Sequence, residues 1–555
     1  MRQGAMLNLY PDSLGANLSD GVDVLAWPEF KDAFQSIYLL PSVFNSDIDR
    51  GYSIISYDLA ETRAKKEDFD KLKELEFDML FDFILNHLSV LSPEFRDILK
   101  NGENSKYIDF FIDWNKFWEG CGEKNEDGII VPDPVKYGGS MRRRNGLSTL
   151  MVRYPDGQEV PYWNTFFQKV HYPEVDEFDL LDLVGCKYDI ACNLAERINS
   201  EIKAGKTPRT LDWSGYEEYK EAGINYMESR RRYLGQMDVN IKCPLVWEWF
   251  DKVMGQLAEL GTSLIRLDAV FSLLKEPGKQ FSPTGSEAIA LLDRIEKMAN
   301  SYGMDILPEC HVPYHIGLHR KQWEMGMPCY DYYLPAILID AMDTGESQWV
   351  YKWAKECADE GVRVINMLGC HDGIPLSDPR GALPDDRVDA LEERLVTRGG
   401  RRKYVHGDKT KEVYQMDIAY YSAMECNDDR MTLARATQIF MPSKPQIWYQ
   451  DLLAGANDLE IFERVLDADN REINRHNYSL EEIRENLARP VVKEQLDLLR
   501  FRNTHPAFTE DANITVEQPD EHTLILIWEN ASGWAKFEGD YQKFTYKITH
   551  SGEEK

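Results

Sequence analysis

The stretch SLIRLDAV at 263–270 carries the strongest indication of the fold. It is a short apolar run, typical of a strand buried on both faces of a parallel sheet, and it contains Arg266 and Asp268. Seven similar runs leave room for helices between them, at 5–10, 36–41, 77–85, 305–309, 330–334, 362–368 and 446–449. Eight such strands alternating with helices predict an α/β protein built on a closed (β/α)8 TIM barrel.

The segments between the strands support this alternation and divide the chain. Five apolar residues recur at helical spacing within 244–260, and Gly261 follows as a stop: Val246, Phe250, Val253, Met254 and Leu257. The third and fourth runs are separated by about 175 residues, far more than a connecting loop needs. The alternating stretches HTLILIWEN and QKFTYKITH near the end predict antiparallel strands.

We therefore expect a barrel with one inserted domain and a small C-terminal domain. The predicted parts are a first barrel segment at 1–87, an inserted domain B at 88–243, a second barrel segment at 244–504 and a C-terminal antiparallel β domain at 505–555. A second excursion at 377–413, inside the second barrel segment, is expected to be an ordered but irregular loop.

Charge and composition exclude several classes of partner. The formal net charge of -31 disfavours nucleic acid and anionic membranes, because both would be repelled over most of the surface. No run of 18 apolar residues and no signal peptide is apparent. Nine cysteines without CxxC spacing suit free thiols in a reducing compartment. We expect a cytoplasmic protein that is a monomer or a homodimer and acts on small molecules.

Charged and polar residues terminate four of the predicted strands. The third run ends FDFILNH, the fourth contains RLD, the fifth is ILPECH and the seventh ends NMLGCHD. In a barrel of this kind the reacting groups lie at the carboxyl ends of the strands. A single carboxylate there would be read as a helix cap, but three of these four endings carry one. This arrangement predicts an active site.

These endings resemble the four signature segments of the α-amylase superfamily, glycoside hydrolase family 13. The matching residues are Asn86-His87, the RLDAV string at 266–270, Glu309 and His371-Asp372. The resemblance implies that Asp268 is the nucleophile, Glu309 the general acid/base and Asp372 the residue that stabilises the transition state. Two carboxylates acting in this way cleave a glycosidic bond with retention.

Further roles follow from the chemistry and the resemblance. Arg266 lies two residues before Asp268 on the same strand face, so it is expected to keep that nucleophile ionised. Glu309 is expected to be kept protonated by its neighbours. His87 and His371 are expected to donate hydrogen bonds to glucose hydroxyls.

A narrower resemblance points to sucrose phosphorylases and their relatives. It rests on YQMDIAYYSAMECNDD at 414–429, PQIWYQDLLAGANDLE at 445–460 and 471–503, which contains INRH and RPVVK. It implies a phosphate site formed by Arg144, His311, Tyr414 and Arg475. It also implies sugar contacts from Asp49 of the DRGY loop, from Gln415 and from Arg475. Inorganic phosphate and an α-glucoside are the implied substrates, with no cofactor and no metal.

The chain departs from this pattern in three places. Phe271-Ser272 replace a Gly-Tyr pair that is common in sucrose phosphorylases, so a tyrosine hydroxyl expected near phosphate is missing. About 60 residues before Gln236 are extra and include a predicted helix at 215–234, and the loop from Pro384 continues as LVTRGGRRKYV, a form closer to glucosylglycerate-type relatives.

The leading hypothesis is a retaining α-glucosyl phosphorylase that converts sucrose or a related α-glucoside and phosphate to α-glucose 1-phosphate. Alternatives are a phosphorylase of sucrose 6′-phosphate, glucosylglycerate or glucosylglycerol, or a retaining α-glucosidase or transglucosidase. A remote alternative is an inactive barrel that serves as a binding subunit.

Overall fold

The computed structural model of the chain describes residues 3–137, 146–360, 364–405, 412–465 and 469–552. The chain divides into two compact units. The first unit comprises Met1–Leu88, Pro132–Gly146 and Val239–Lys555, and the second comprises Ser89–Val131 and Leu147–Asp238.

Eight parallel strands form the centre of the first unit, one at each apolar run predicted from the sequence. They are β1 (Met6–Leu9), β2 (Ser36–Leu39), β3 (Asp78–Ile84), β4 (Thr262–Asp268), β5 (Asp305–Pro308), β6 (Cys329–Asp331), β7 (Val364–Met367) and β8 (Lys444–Trp448).

The strand order identifies the sheet as a barrel. The order is β5-β4-β3-β2-β1-β8-β7-β6, so that β8 pairs with β1 and only β5 and β6 stand at the two ends. The pairings between neighbours are parallel. The predicted (β/α)8 barrel is therefore confirmed, because this is the cyclic order of a closed sheet of eight.

Helices follow the strands, as a parallel sheet requires. The predicted amphipathic segment forms the helix Pro244–Glu259, and its five spaced apolar residues are buried. The longer helices of the first unit are Leu18–Leu25, Lys66–Glu74, Pro244–Glu259, Ser286–Ser301, Leu318–Glu324, Leu334–Thr344, Gln348–Glu360, Asp385–Thr397, Asp428–Phe440, Leu480–Ala488 and Pro490–Thr504. Four-residue helices lie at Pro134–Tyr137, Tyr420–Ala423, Tyr449–Leu452 and Ile461–Arg464.

The excursion after β7 is more regular than the sequence suggested. It contains the helix Asp385–Thr397, whose buried residues Val388, Leu391 and Leu395 recur at helical spacing. A small antiparallel sheet of Ile374–Pro375, Val413–Asp417 and Arg401–Tyr404 follows. The expectation of an irregular loop over 377–413 is wrong for the helix, which buries three apolar side chains, and for the strand Arg401–Tyr404, which pairs with Val413–Asp417.

Two further strands, Phe44–Ser46 and Ile54–Leu59, form an antiparallel pair after β2, and the short strand His87–Ser89 follows β3. The remaining strands before β4 are Gly122–Lys124, Ile130–Pro132, Thr149–Arg153, Glu159–Trp163, Gln168–His171 and Arg232–Asp238.

The second unit has an apolar core of its own in the segment that the sequence marked as extra. Its helices are Pro93–Asn101, Trp114–Phe117, Glu177–Val184, Tyr188–Lys203 and Lys220–Ser229. The core of the extra segment consists of Val175, Leu180, Ala191, Leu194, Ala195, Ile198, Leu211, Trp213 and Met227. The helix predicted at 215–234 is shorter than expected, because its last residues enter the strand Arg232–Asp238, which pairs with Gln168–His171.

Four antiparallel strands close the first unit, as predicted. They are Asn513–Glu517, Thr523–Asn530, Gly533–Asp540 and Thr545–His550. The sheet packs on the helix Asp428–Phe440, where the Phe440 ring lies 5.5 Å from that of Phe537 and its carbonyl accepts a hydrogen bond from Trp528. Within the described residues, no helix has the length and apolar character needed to cross a bilayer.

Replacing Phe440 with alanine tests this packing. Phe440 is fully buried and also contacts Phe508 at 5.2 Å between ring centroids, so the change should lower the free energy of unfolding by about 3–5 kcal/mol. Urea unfolding followed by circular dichroism measures it. Trp534→Ala, at a ring that is 39% exposed, is the control and should change stability by less than about 0.5 kcal/mol. Equal losses in both variants would contradict the packing argument.

Candidate active site

The three carboxylates predicted to carry the chemistry lie beyond the carboxyl ends of barrel strands. β4 ends at Asp268, Glu309 directly follows β5, and Asp372 lies in the segment after β7. The carboxyl ends of parallel strands share one face of a barrel, and active sites of such barrels lie there. The strand ends therefore put all three carboxylates on the face where active sites form.

One arginine connects the carboxylates of three neighbouring strands. Arg266 pairs in register with Asp82 of β3 and donates to its Oδ1 at 2.5 Å. The same nitrogen donates to Asp268 Oδ1 at 3.0 Å, and the other terminal nitrogen lies 3.7 Å from Glu309 Oε1. Arg266 and Asp82 are buried, and Tyr38 also donates to Asp82 at 2.8 Å. A single buried cation is thus shared among three acids.

The turn after β4 orients Glu309. Ala269 has φ 45° and ψ 36°, a left-handed conformation that is uncommon for a residue with a side chain. In this conformation its N–H donates to Glu309 Oε2 at 2.8 Å. The strained turn therefore holds the predicted acid/base beside the predicted nucleophile.

The surroundings of Asp268 and Glu309 shift their pKa values in directions that oppose the expected protonation. Burial raises the pKa of Asp268 to about 7, and Glu309 reinforces the shift while Arg266 only partly offsets it. Burial opposes ionisation of Glu309 too, but the hydrogen bond from His311 and the charge of Arg266 lower its pKa to about 2. Arg266 also serves the fully buried Asp82, so its charge is divided. Burial and Glu309 thus favour the protonated form of Asp268, whereas His311 and Arg266 favour the ionised form of Glu309.

His311 lies between two carboxylates. Its Nε2 is 3.2 Å from Glu309 Oε1, and its Nδ1 is 3.1 Å from Asp378 Oδ1. Burial opposes the charged form, but Asp378 and Glu309 together raise the pKa of His311 to about 10. The ring also packs at 4.1 Å on that of Tyr332. His311 is therefore a cation in the resting site, and Asp378 is a partner that sequence reasoning missed.

The two histidines predicted to contact glucose are linked by Tyr52. The Tyr52 hydroxyl lies 2.7 Å from His371 Nε2, and the two rings stack with centroids 5.1 Å apart. His87 Nε2 donates to the Tyr52 carbonyl at 2.8 Å. Burial lowers the pKa of His371 to about 3 although Asp372 opposes the shift. His371 is therefore neutral near pH 7.

Arg471, which sequence reasoning did not single out, joins two predicted site residues. It donates to Asp49 Oδ1 at 2.7 Å and to Asp372 Oδ1 at 3.1 Å, and it also pairs with Asp469. Burial opposes ionisation of Asp372, but His371, in the protonated form that it takes at low pH, and Arg471 hold the pKa of Asp372 well below the usual range. Asp372 is thus an anion, held by an arginine that also reaches the DRGY loop.

Arg475, the predicted phosphate ligand, lies behind this group. It is 2% exposed, donates to the His371 carbonyl at 2.7 Å and pairs with Glu472 at 3.0 Å. Its remaining terminal nitrogen lies 3.9 Å from Asp372 Oδ1. The string REINRH contains both arginines, and its spacing gives no reason to prefer Arg471 to Arg475.

A lysine approaches the same carboxylate from the small sheet after β7. Lys403 lies on the strand Arg401–Tyr404 opposite Gln415, and its ammonium is 5.9 Å from the Tyr414 ring. Gln415, a predicted sugar ligand, donates to Asp417 at 2.6 Å. Burial and the charge of Arg471 lower the pKa of Lys403, whereas Lys403 in turn helps to keep Asp372 ionised. Lys403 was also missed by the sequence reasoning.

Two expectations concern groups that this geometry does not include. Arg144 lies outside the described residues. No group of three or more His, Cys, Asp or Glu side chains within the described ranges is arranged to hold a metal ion.

Comparisons with known proteins place this geometry in context. No family model matches the chain. A sucrose 6F-phosphate phosphorylase from Ilumatobacter coccineus is 40% identical, covering 98% of this chain and 95% of the relative. A sucrose phosphorylase from Streptococcus mutans is 29% identical, covering 98% and 97%.

Solved structures agree with this relationship. A sucrose 6F-phosphate phosphorylase from Thermoanaerobacter thermosaccharolyticum superposes with a TM-score of 0.78 at 28% identity, covering 100% of this chain and 96% of the other. An α-amylase from H. orenii shares the fold, with a TM-score of 0.58 at 13% identity, covering 98% and 90%. The chain therefore belongs to the sucrose phosphorylase subfamily of glycoside hydrolase family 13, the α-amylase superfamily.

Proposed function

We propose that the chain transfers glucose from an α-glucoside to phosphate with Asp268 as nucleophile, Glu309 as general acid/base and Asp372 as the anion that stabilises the transition state. The observation that carries this proposal is the single cation Arg266 in contact with both Asp268 and Glu309. It brings two carboxylates to one place, as a double displacement at an anomeric carbon requires.

In the first step the Asp268 carboxylate forms a bond to the anomeric carbon. The bond to the leaving oxygen breaks, and Glu309 in its acid form gives that oxygen a proton. The oxocarbenium-like transition state gains positive charge, which the anion of Asp372 stabilises electrostatically. Neutral His371 and His87 bind the sugar hydroxyls.

In the second step phosphate attacks the glucosyl ester of Asp268 from the face that the leaving group vacated. The ionised Glu309 accepts the proton of the attacking P–OH group, and two inversions give net retention. The phosphate ligands in this proposal are Arg144, Arg475, His311 and Tyr414. Arg471 joins Asp49 to Asp372, so we assign it to the wall of the glucose pocket.

We propose sucrose 6F-phosphate as the donor, with fructose 6-phosphate as the leaving group. The 40% identity to a sucrose 6F-phosphate phosphorylase supports this choice. A doubly charged leaving group also needs a cation, and Lys403 supplies one beside Asp372 in a protein whose formal net charge is -31. Ser272, in place of the tyrosine common in sucrose phosphorylases, leaves room for a different arrangement of anions.

We also propose a cytoplasmic location. Cys121, Cys186 and Cys192 of the second unit are free thiols that are only partly buried, which suits a reducing compartment.

Incubation of the purified protein with sucrose 6F-phosphate, with and without phosphate, tests the proposed function. We expect α-glucose 1-phosphate only when phosphate is present, with the α-configuration established by NMR. Asp268→Asn should lower the rate by about 10⁴-fold or more, because no covalent intermediate forms. Asp305→Asn, at the amino end of β5, is the matched control and should retain activity. Equal donor consumption without phosphate would instead identify a hydrolase.

Replacing Lys403 with methionine tests the proposed leaving group. A lost charge-assisted contact should lower kcat/KM for sucrose 6F-phosphate about 10- to 100-fold and leave kcat/KM for sucrose nearly unchanged. Arg402→Met is the control, because Arg402 pairs with Glu392 and Glu393. An equal loss for both donors would contradict a role in binding the fructose phosphate, and a preference for glucosylglycerate in the parent enzyme would replace the proposed donor.

A further inference from the structure

We propose that Asp378 is a positioning residue that, through His311, supplies the acid/base Glu309 with the proton it gives to the leaving group and recovers that proton afterwards. This inference rests on the role proposed above for Glu309. Asp378 itself touches neither the sugar nor the reacting atoms.

The geometry is a line of three side chains. Asp378 Oδ1 accepts from His311 Nδ1 at 3.1 Å, and His311 Nε2 donates to Glu309 Oε1 at 3.2 Å. The Asp378 side chain is 1% exposed, its Oδ2 accepts from Ser377 at 3.1 Å, and its carbonyl accepts from the N–H of Tyr314 at 2.9 Å. Asp378 is therefore fixed on the side of His311 away from the reacting pair.

Both ring nitrogens of His311 face carboxylate oxygens, so both must carry a proton to donate. The groups that face the ring are Asp378 from the segment after β7, Glu309 after β5 and Tyr332 after β6. Burial raises the pKa of Tyr332 well above its usual value, so that phenol is neutral. The raised pKa of His311, about 10, agrees with an imidazolium between two anions.

This imidazolium solves a difficulty in the first catalytic step. The contacts of Glu309 with His311, Arg266 and the N–H of Ala269 favour its ionised form, which has no proton for the leaving oxygen. Transfer of the Nε2 proton of His311 to Glu309 Oε1 produces the acid form. The imidazole that remains is neutral and still donates its Nδ1 proton to Asp378. The step starts with Asp268 ionised, its proton having passed to solvent in a prior equilibrium. Glu309 then gives its proton to the leaving oxygen as the bond from that oxygen to the anomeric carbon breaks, and the Asp268 carboxylate forms the glucosyl ester.

The second step returns the proton. The attacking P–OH gives its proton to Glu309 as the phosphate oxygen bonds to the anomeric carbon and the Asp268 ester bond breaks. Glu309 passes this proton to His311 Nε2, which restores the imidazolium. One proton leaves with the released acceptor and one arrives with phosphate, so the site is unchanged after each turnover.

The effect of Asp378→Asn on pH dependence follows from the charge that is removed. His311 and Glu309 share one proton that catalysis needs, and the carboxylate of Asp378 raises the pKa at which His311 loses it. Without the carboxylate, burial favours neutral imidazole, so the shared proton is lost at lower pH. The alkaline limb of the kcat/KM profile should move down by about 1–3 pH units.

The experiment compares kcat/KM against pH for the best glucoside donor in the parent, Asp378→Asn, Asp378→Glu and Asp385→Asn. Asp385 is an exposed carboxylate on the same excursion, and its variant should follow the parent. Asp378→Glu keeps the charge and should restore the alkaline limb. The same profiles are recorded with α-glucosyl fluoride, because fluoride leaves without a proton. Asp378→Asn should retain fluoride release, which also establishes that the variant is folded.

Three results would overturn the inference. The first is a profile that falls uniformly in Asp378→Asn with an unmoved alkaline limb. The second is an equal loss with α-glucosyl fluoride, and the third is no restoration by Asp378→Glu. If Asp378→Asn does not fold, Asp378→Ser, which also removes the charge, takes its place, and its alkaline limb is judged in the same way.

A double variant separates action through His311 from any independent role. Asp378→Asn should cause no further loss in a His311→Gln background, whereas multiplicative losses would contradict the relay. Glu309→Gln tests the underlying assignment. Full activity of Glu309→Gln on the glucoside would overturn the proposed function itself. Loss in Glu309→Gln combined with an unmoved limb in Asp378→Asn would overturn only the relay.

Discussion

The contact of Arg266 with three carboxylates is the constraint on which the rest of the site depends. Buried charges are costly, and a group of acids in a barrel mouth needs a cation that no change of pH near neutrality can remove. Strand pairing supplies it, because Arg266 lies in register with Asp82 and two residues before Asp268. The shortest contact of Arg266 is with Asp82, and its contacts with Asp268 and Glu309 are longer.

Burial and these contacts set the directions in which the pKa values of the two acids shift. Asp268 receives too little of Arg266 to overcome burial, whereas Glu309 gains an N–H from a left-handed turn and a proton donor in His311. A double displacement needs the opposite distribution at the moment of bond cleavage. In the proposed mechanism Glu309 must gain a proton. His311 is a proton donor in contact with Glu309, and Asp378 lies behind His311.

Cations are concentrated around the substrates in a protein that is otherwise acidic. Arg471, Arg475 and Lys403 all lie around Asp372, although the formal net charge is -31. The negative charge of the protein surface would repel phosphate. The attraction of phosphate to the site must therefore come from nearby cations that are shielded from solvent. Segments after β7 and β8 supply these cations, whereas Asp82 and Asp268 lie on barrel strands and Glu309 directly follows one.

The amino-acid sequence determined the eight strands, the C-terminal sheet and the four strand-end segments, because apolar runs, alternation and short motifs are local properties. It did not determine which arginine of REINRH meets Asp49 and Asp372, nor that Lys403 and Asp378 join the site. Those contacts link residues far apart in the chain, and only the folding of the segments after β7 and β8 brings them together. The pKa shifts of Asp268 and Glu309 were likewise decided by tertiary structure, because burial and shared hydrogen bonds set a pKa and neither is visible in a motif.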